Sequence, residues 1–151
     1  TDALATLKAL TESAPEATPL AAAGLADVAL ACDQVPAVLA LLRARYEQDP
    51  ALDTMEAIVR LEAKTGGDGR DGYIRHLQHE PSLIAAARWI AGEKLEHDQF
   101  HPLVQRALDH AVKPLSRYRC AACGFEAKDH FWQCPGCQAW DSYPPRRVEE
   151  L

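Results

Sequence analysis

Two C-x-x-C pairs constrain the fold of this 151-residue chain more than any other feature of its sequence. The first pair is Cys120 and Cys123, the second is Cys134 and Cys137, and ten residues separate them. A two-residue gap lets a tight turn, or knuckle, direct both sulfurs at one ion. Two facing knuckles complete a tetrahedral tetrathiolate site, so we predict that these four cysteines bind one metal ion.

Two other interpretations of the cysteines are less favourable. Nothing in the sequence indicates secretion, which argues against two disulfides, since cytosolic thiols stay reduced. No βαβ pattern surrounds either pair, which argues against a thioredoxin-type redox motif. His130, between the knuckles, could replace one sulfur ligand, but four thiolates already suffice. Thiolates suit zinc and also iron, so the identity of the ion stays open.

The residues around the cysteines support tight turns and a very small core. Gly124 and Gly136 stand where such turns often need a positive φ angle. We expect aromatic side chains to cover the knuckles, namely Phe125, Trp132 and Trp140. With four protein ligands the site is closed to substrate and to activated water. A structural or electron-transfer role is therefore favoured over hydrolysis.

Composition divides the chain near residue 116. Residues 1–116 hold 11 Lys+Arg and 17 Asp+Glu, whereas residues 117–151 hold five of each. Six of the ten aromatic residues lie in the second part: Tyr118, Phe125, Phe131, Trp132, Trp140 and Tyr143. A segment of about 30 residues is too small to be held by its core alone, so metal binding and folding are expected to be coupled. We predict two domains, 1–116 and 117–151.

The first domain has the pattern of a helical array. Apolar residues three and four apart recur between short breaks, and they predict seven helices over 2–13, 19–32, 34–47, 50–64, 70–79, 81–95 and 99–112. Pro19, Pro50 and Pro81 are spaced by 31 residues. This spacing favours a degenerate repeat of helical hairpins that bury their apolar faces by stacking. The period is slightly shorter than the ~34 residues of tetratricopeptide units. Helical hairpins of similar length are the alternative explanation.

Several classes of function are disfavoured by the sequence. The net charge of −6 argues against a general nucleic-acid binder, which needs a basic face. No apolar run approaches the ~20 residues that a membrane-spanning helix needs. The run GDGRDG at 67–72 matches a dinucleotide fingerprint, but no strand precedes it, so we interpret it as a flexible turn between two helices.

The cysteine segment resembles a known family. The stretch YRCAACGF at 118–125 resembles the first knuckle of rubredoxins, and CPGC at 134–137 resembles the second, with a shorter gap between them. The stretch 117–145, with FWQCP at 131–135, is similar to the C-terminal rubredoxin-type domain of the lipopolysaccharide assembly protein B family. In that family the metal domain follows tetratricopeptide repeats.

The resemblance implies a fold and a site. The fold would be mainly α, with tetratricopeptide-like helical-hairpin repeats followed by a small rubredoxin-like or zinc-ribbon-like metal domain. Only Cys120, Cys123, Cys134 and Cys137 carry over as site residues, all as ligands of one zinc or iron ion. No catalytic residue carries over.

The resemblance also implies a function and a location. Family members are non-enzymatic adaptors that restrain lipopolysaccharide synthesis by promoting destruction of the committed-step deacetylase. The expected partners are a membrane AAA+ protease, that deacetylase and other envelope-assembly proteins. The expected location is the cytoplasmic face of the bacterial inner membrane. The start at Thr1, without Met, suggests that a membrane anchor and upstream repeats are missing.

A second function is compatible with the residues. A tetrathiolate iron site can change oxidation state, so the chain could be a rubredoxin-like electron carrier fused to a protein-interaction domain. For the adaptor function we also predict how the metal domain contributes. Because residues 113–116 form only a short linker, we expect the metal module to dock against the helices and fix one continuous surface for a partner.

Overall fold

The computed structural model describes residues 2–151 and is mainly helical, which confirms the predicted fold class. Its helices are α1 (Asp2–Ser13), α2 (Thr18–Ala31), α3 (Val35–Gln48), α4 (Leu52–Lys64), α5 (Arg70–His79), α6 (Leu83–Ala91) and α7 (His101–Leu115). An antiparallel pair of two-residue strands follows, β1 (Tyr118–Arg119) and β2 (Glu126–Ala127). Short 3-10 helices cover Pro15–Ala17, Asp98–Phe100 and Val148–Glu150.

Helix boundaries differ from the predicted ones where a proline was taken as the first helical residue. Helix α4 begins two residues after Pro50, and α6 begins two residues after Pro81. In α6 the residue after the proline, Ser82, is the N-cap, and its hydroxyl accepts the Ala85 N–H at 3.0 Å. This cap satisfies a backbone donor that would otherwise lack a partner at the helix start. Helix α6 also ends at Ala91, four residues earlier than predicted.

The chain forms two compact units, Thr1–His79 and Glu80–Leu151. In the first unit, α2 packs against α1, α3 and α4. Helix α2 has small buried residues along its length, Ala22, Ala26 and Ala29, each fully buried. Small side chains let helix backbones approach closely. Larger side chains are also fully buried, namely Leu25 of α2 itself, Val38 and Leu42 of α3, and Ile58 and Leu61 of α4.

One buried polar contact and a partly buried pair of ion pairs join three helices of the first unit. Glu62 of α4 accepts hydrogen bonds from Arg43 Nη2 of α3 at 2.8 Å and from Arg75 Nη2 of α5 at 3.0 Å. Burial raises the pKa of Glu62, but the two arginines outweigh it and hold the pKa below its usual value. Tyr46 of α3 bonds through its hydroxyl to Nδ1 of His76 in α5 at 2.7 Å. These contacts fix the lateral order of α3, α4 and α5.

The glycine run at 67–72 is only partly the flexible turn that we predicted. Gly72 lies inside α5 and is buried against α4. A Cβ at Gly72 would lie 2.5 Å from Val59 Cγ2 and 2.9 Å from Met55 Sδ. A Cβ at Gly69 would lie 2.8 Å from Val59 Cγ1. These two glycines therefore allow α5 to approach α4, which is a packing requirement.

The second unit contains α6, α7 and the cysteine segment. Near the C-terminus, the Arg147 Nη1 atom donates to the Ser116 carbonyl oxygen at 2.7 Å, and the Val148 N–H donates to the Arg117 carbonyl at 2.7 Å. The Arg147 guanidinium also lies 4.4 Å from the centre of the Tyr118 ring. The residues after the second knuckle thus return to the end of α7.

The compact units do not coincide with the predicted domains. The predicted boundary near residue 116 falls inside the second unit. The assignment of 1–116 and 117–151 as separate domains stays a prediction. Across residues 2–151, no helix is both long enough and apolar enough to span a membrane.

Candidate metal centre

The two knuckles have the same backbone hydrogen bonds. In the first, the Gly124 N–H donates to the Cys120 carbonyl at 2.9 Å and the Cys120 N–H donates to the Phe125 carbonyl at 2.9 Å. The second repeats both bonds at 2.8 Å, from Gln138 to the Cys134 carbonyl and from Cys134 to the Ala139 carbonyl. The C-x-x-C spacing therefore produces two matching turns, and each presents two sulfurs.

The structure corrects the predicted role of one glycine. Gly124 has φ +79°, as expected, but in the second knuckle the equivalent residue is Gln138, with φ +62°. Gly136 does not have a positive φ angle, and its role is steric. A Cβ there would lie 3.2 Å from three atoms of the Phe125 side chain, so the absence of a side chain allows the two knuckles to approach.

The four cysteine sulfurs lie within 4.8 Å of one another. Cys120 Sγ is 3.8 Å from Cys137 Sγ, and Cys123 Sγ is 3.7 Å from Cys134 Sγ. Metal–sulfur bonds of about 2.3 Å in a tetrahedral site place the sulfurs about 3.8 Å apart. A disulfide would instead need about 2.05 Å. The cysteines are therefore positioned to bind one metal ion, and a thiolate donor set fits zinc or iron.

Hydrogen-bonding groups surround the sulfurs. The Ser142 hydroxyl lies 3.2 Å from Cys120 Sγ, and the Gly136 N–H donates to Cys134 Sγ at 3.3 Å. The Tyr143 hydroxyl is 3.9 Å from Cys134 Sγ and donates to the Phe125 carbonyl at 3.2 Å. Such partners orient metal ligands. We did not predict Ser142 as part of the site, because no spacing rule marks a lone serine after the second knuckle.

The surroundings of the sulfurs change their acidity in opposite directions. The hydrogen bond with Ser142 is the main cause that lowers the pKa of Cys120 to about 6. At Cys123 the Phe125 N–H favours the thiolate, but desolvation and the sulfurs of Cys137, Cys134 and Cys120 raise the pKa to about 12. Burial is the main cause that raises the pKa of Tyr143 to about 12. Tyr143 therefore stays a neutral hydrogen-bond donor beside the sulfurs.

His130 packs in the small core, and its ring lies close to three aromatic residues. Its Nε2 bonds with the Tyr143 carbonyl at 3.0 Å. The ring has edge contacts with Tyr118, Trp132 and Tyr143, with ring centres 5.0 to 5.9 Å apart. Among residues 2–151, the cluster that gathers the four sulfurs does not include His130.

Two of the three aromatic residues predicted to form the core over the knuckles are mainly exposed, Trp132 at 56% and Trp140 at 70%. Phe125 is 44% exposed, and its side chain lies against Gly136 of the second knuckle. The buried aromatic residues are instead Tyr118 and Tyr143. A tyrosine fits this site because its ring fills space while its hydroxyl keeps a hydrogen-bond partner.

Comparison with known proteins agrees with this geometry. Residues 118–145 match the family model described as "Rubredoxin metal binding domain". Lipopolysaccharide assembly protein B of Escherichia coli (strain K12) is 29% identical to this chain over 93 residues, 58% of the chain and 24% of the relative. The predicted resemblance to the lipopolysaccharide assembly protein B family is confirmed.

A second relative supports the same resemblance. Lipopolysaccharide assembly protein B of Haemophilus influenzae (strain ATCC 51907 / DSM 11121 / KW20 / Rd) is 35% identical over 48 residues, 32% of this chain and 12% of the relative. The aligned part of the chain thus spans about a quarter of the length of the Escherichia coli relative, or less for the other. The Escherichia coli match covers more of the chain than the cysteine segment, so the resemblance includes helical residues.

Proposed function

We propose that this chain is part of a non-enzymatic adaptor that restrains lipopolysaccharide synthesis. In this proposal it brings the committed-step deacetylase to a membrane-bound AAA+ protease, and it contacts other envelope-assembly proteins. The observation that carries the proposal is the match over 58% of the chain to a relative named lipopolysaccharide assembly protein B. By the same resemblance, we assign the chain to the cytoplasmic face of the bacterial inner membrane.

The chemistry of the cysteine cluster supports an adaptor over an enzyme. Cys120, Cys123, Cys134 and Cys137 lie close enough to supply all four ligands of a tetrahedral ion, which would leave no position for a substrate or a reactive water. A bound ion would cross-link the two knuckles. The chain's own residues then keep the sulfurs oriented, through Ser142 and the Gly136 N–H.

Contacts that Arg147 and Glu149, just after the cysteine segment, make with α6 and α7 support a mechanism. Ser82 Oγ donates to Glu149 Oε2 at 2.8 Å, and Glu149 also accepts the N–H groups of Leu83 and Ile84 at the start of α6. Arg147 holds the Ser116 carbonyl at the end of α7. We therefore propose that the metal module sets the orientation of α6 and α7, and that these helices then form part of the partner surface.

Turnover of the deacetylase in cells tests the proposal. The full-length protein would carry Cys134→Ser and Cys137→Ser together, with Cys32→Ser as the matched control, because Cys32 lies outside the cluster. We expect the double variant to lengthen the half-life of the deacetylase after translation is stopped, and the control to leave it unchanged. Affinity capture from membranes should recover protease and deacetylase with the control only.

Two results would contradict the proposal. The first is an unchanged deacetylase half-life when the whole gene is deleted. The second is recovery of neither protease nor deacetylase with the unmodified full-length protein.

A further inference from the structure

Helix α7 exposes an apolar strip along one side. We define the α7 strip as Leu103, Val104, Ala107 and Ala111 of α7, together with Phe100, the N-cap residue just before the helix. Phe100, Leu103 and Val104 are 52%, 59% and 43% exposed, and both alanines are exposed. Residues three and four apart share one face of a helix, so these five side chains form a continuous surface.

The side of α7 next to the strip makes the contacts within the second unit. Val112 is the buried residue of this helix, and Leu108 is half-buried. At its start, His101 Nε2 bonds with the Ile90 carbonyl of α6 at 3.1 Å. The apolar surface of α7 is therefore wider than the part that α6 covers. The α7 strip is the part of that surface that stays uncovered.

Basic side chains run along one edge of the strip. Arg106, His110 and Lys113 are exposed, and they follow each other at intervals of four and three residues. Within residues 2–151, neither Arg106 nor Lys113 takes part in an ion pair. An apolar strip with a basic edge is complementary to an apolar strip with an acidic edge.

We propose that the α7 strip binds an amphipathic helix of a partner protein whose edge is acidic. The strip has the spacing of a helix–helix seam, with a large side chain at Phe100 and small ones at Ala107 and Ala111. The small residues permit close approach of a second helix, which a lipid surface does not require. The proposal deepens the adaptor function, since it assigns the surface and the chemistry of a partner.

Binding of synthetic helical peptides to the whole chain tests the proposal. One fluorescent peptide has leucines at intervals of three and four residues and a glutamate edge. A second has the same composition in scrambled order, and a third has a lysine edge. We expect the glutamate-edge helix to bind about tenfold more tightly than the other two. Leu103→Asp should remove that preference.

Reversing the charge of the basic edge tests the preference for an acidic partner more directly than Leu103→Asp does. The double variant Arg106→Glu with Lys113→Glu should bind the glutamate-edge peptide about tenfold more weakly and should prefer the lysine-edge peptide. The control is Lys64→Glu with Lys128→Glu, which changes the net charge equally at two exposed sites outside α7. Unchanged circular dichroism and thermal melting would show that each variant is folded.

Other outcomes would overturn the proposal. Equal affinity for ordered and scrambled peptides would refute a helix site. Leu103-dependent binding to phosphatidylcholine–phosphatidylglycerol vesicles, without peptide preference, would assign the strip to lipid. Dimers that Leu103→Asp dissociates would assign it to a second copy. None of these measurements involves the deacetylase, so a failure here is distinguishable from a failure of the adaptor function.

Discussion

Ser142 has one hydroxyl proton and two acceptors within reach. Cys120 Sγ lies at 3.2 Å and the Ala139 carbonyl at 3.4 Å. When Cys120 is a thiolate ligand it can only accept, so the hydroxyl donates to the sulfur. We predict that Ser142→Ala weakens zinc binding about 10- to 100-fold, because it removes the partner that orients this ligand. Competition with a chromophoric chelator measures the affinity.

Two further variants test the cause of that loss. Ser142→Thr keeps a hydroxyl at the same place and should retain most of the affinity. Ser13→Ala removes an exposed hydroxyl of α1 and should have no effect. Equal zinc affinity in Ser142→Ala and the unmodified chain would show that the hydrogen bond does not support the site.

The acid end of the pH dependence of metal binding follows from the same residue, because Cys120 has the lower pKa, about 6, against about 12 for Cys123. The pKa of Cys120 is lowered to about 6, so its thiolate is present at neutral pH and binds a proton as the pH falls through about 6. Protons and metal ion compete for the sulfur. We therefore expect the fraction of bound zinc to fall in acid, and Ser142→Ala to shift the midpoint to higher pH. Zinc titrations at a series of pH values measure these midpoints. Equal midpoints for Ser142→Ala and the unmodified chain would contradict the prediction.

The sequence predicted the grouping of the four sulfurs better than the groups around them. The C-x-x-C spacing indicated all four sulfurs that the structure brings together, because the constraint is local. It did not identify Ser142, which reaches Cys120 only after the chain has turned back. It also assigned positive φ to Gly136 instead of Gln138, because composition favours glycine whereas the backbone repeats the first turn.

Among the helices, two glycines inside helical segments have opposite environments. A Cβ at Gly24 of α2 would be 3.5 Å from Leu7 Cδ1, an ordinary contact, whereas a Cβ at Gly72 of α5 would overlap Val59 and Met55. We predict that Gly24→Ala stabilises the chain by about 0.5–1 kcal/mol, since alanine favours helix. Gly72→Ala should destabilise it by about 1–3 kcal/mol through overpacking. Urea unfolding measures the change in free energy of unfolding for each variant. If Gly72→Ala stabilised the chain as Gly24→Ala does, the packing of α5 on α4 would be contradicted.

The start of α6 depends on a residue far along the chain. Glu149 accepts N–H groups of Leu83 and Ile84, where the helix dipole favours a negative charge. We predict that Glu149→Ala lowers the free energy of unfolding by about 1–2 kcal/mol, and Glu149→Gln by less. Glu96→Gln is the control, because Glu96 is exposed. An unchanged urea midpoint in Glu149→Ala would show that the cap does not stabilise α6.

The sequence predicted the presence of the helices better than the residues at which they begin and end. The sequence pattern predicted both ends of α1 and α5 correctly. The prolines at 50 and 81 suggested early starts for α4 and α6. At α6 the caps came instead from Ser82 and, across 65 residues of sequence, from Glu149. Local patterns do not contain such a tertiary contact.

For the whole molecule, metal removal should affect the two units differently. The first unit has a continuous core of buried side chains from α1 to α4. The cysteine segment has few large buried side chains, so we expect its folding to depend on a bound ion. We predict that chelation unfolds residues 118–145 and leaves α1–α5 folded. When residues 118–145 unfold, Glu149 just after them should no longer be held at the start of α6. Amide protection there should then fall.

Hydrogen exchange with and without a strong chelator resolves these regions separately. Cys120→Ser with Cys123→Ser should reproduce the chelated pattern without chelator, and Cys32→Ser should match the untreated chain. Uniform loss of protection across α1–α5 would mean that the units do not unfold independently. Unchanged protection over 118–145 would mean that the knuckles fold without an ion. Because metal loss acts on α6 through one carboxylate, Glu149→Ala should reproduce its effect on α6 while the knuckles stay protected.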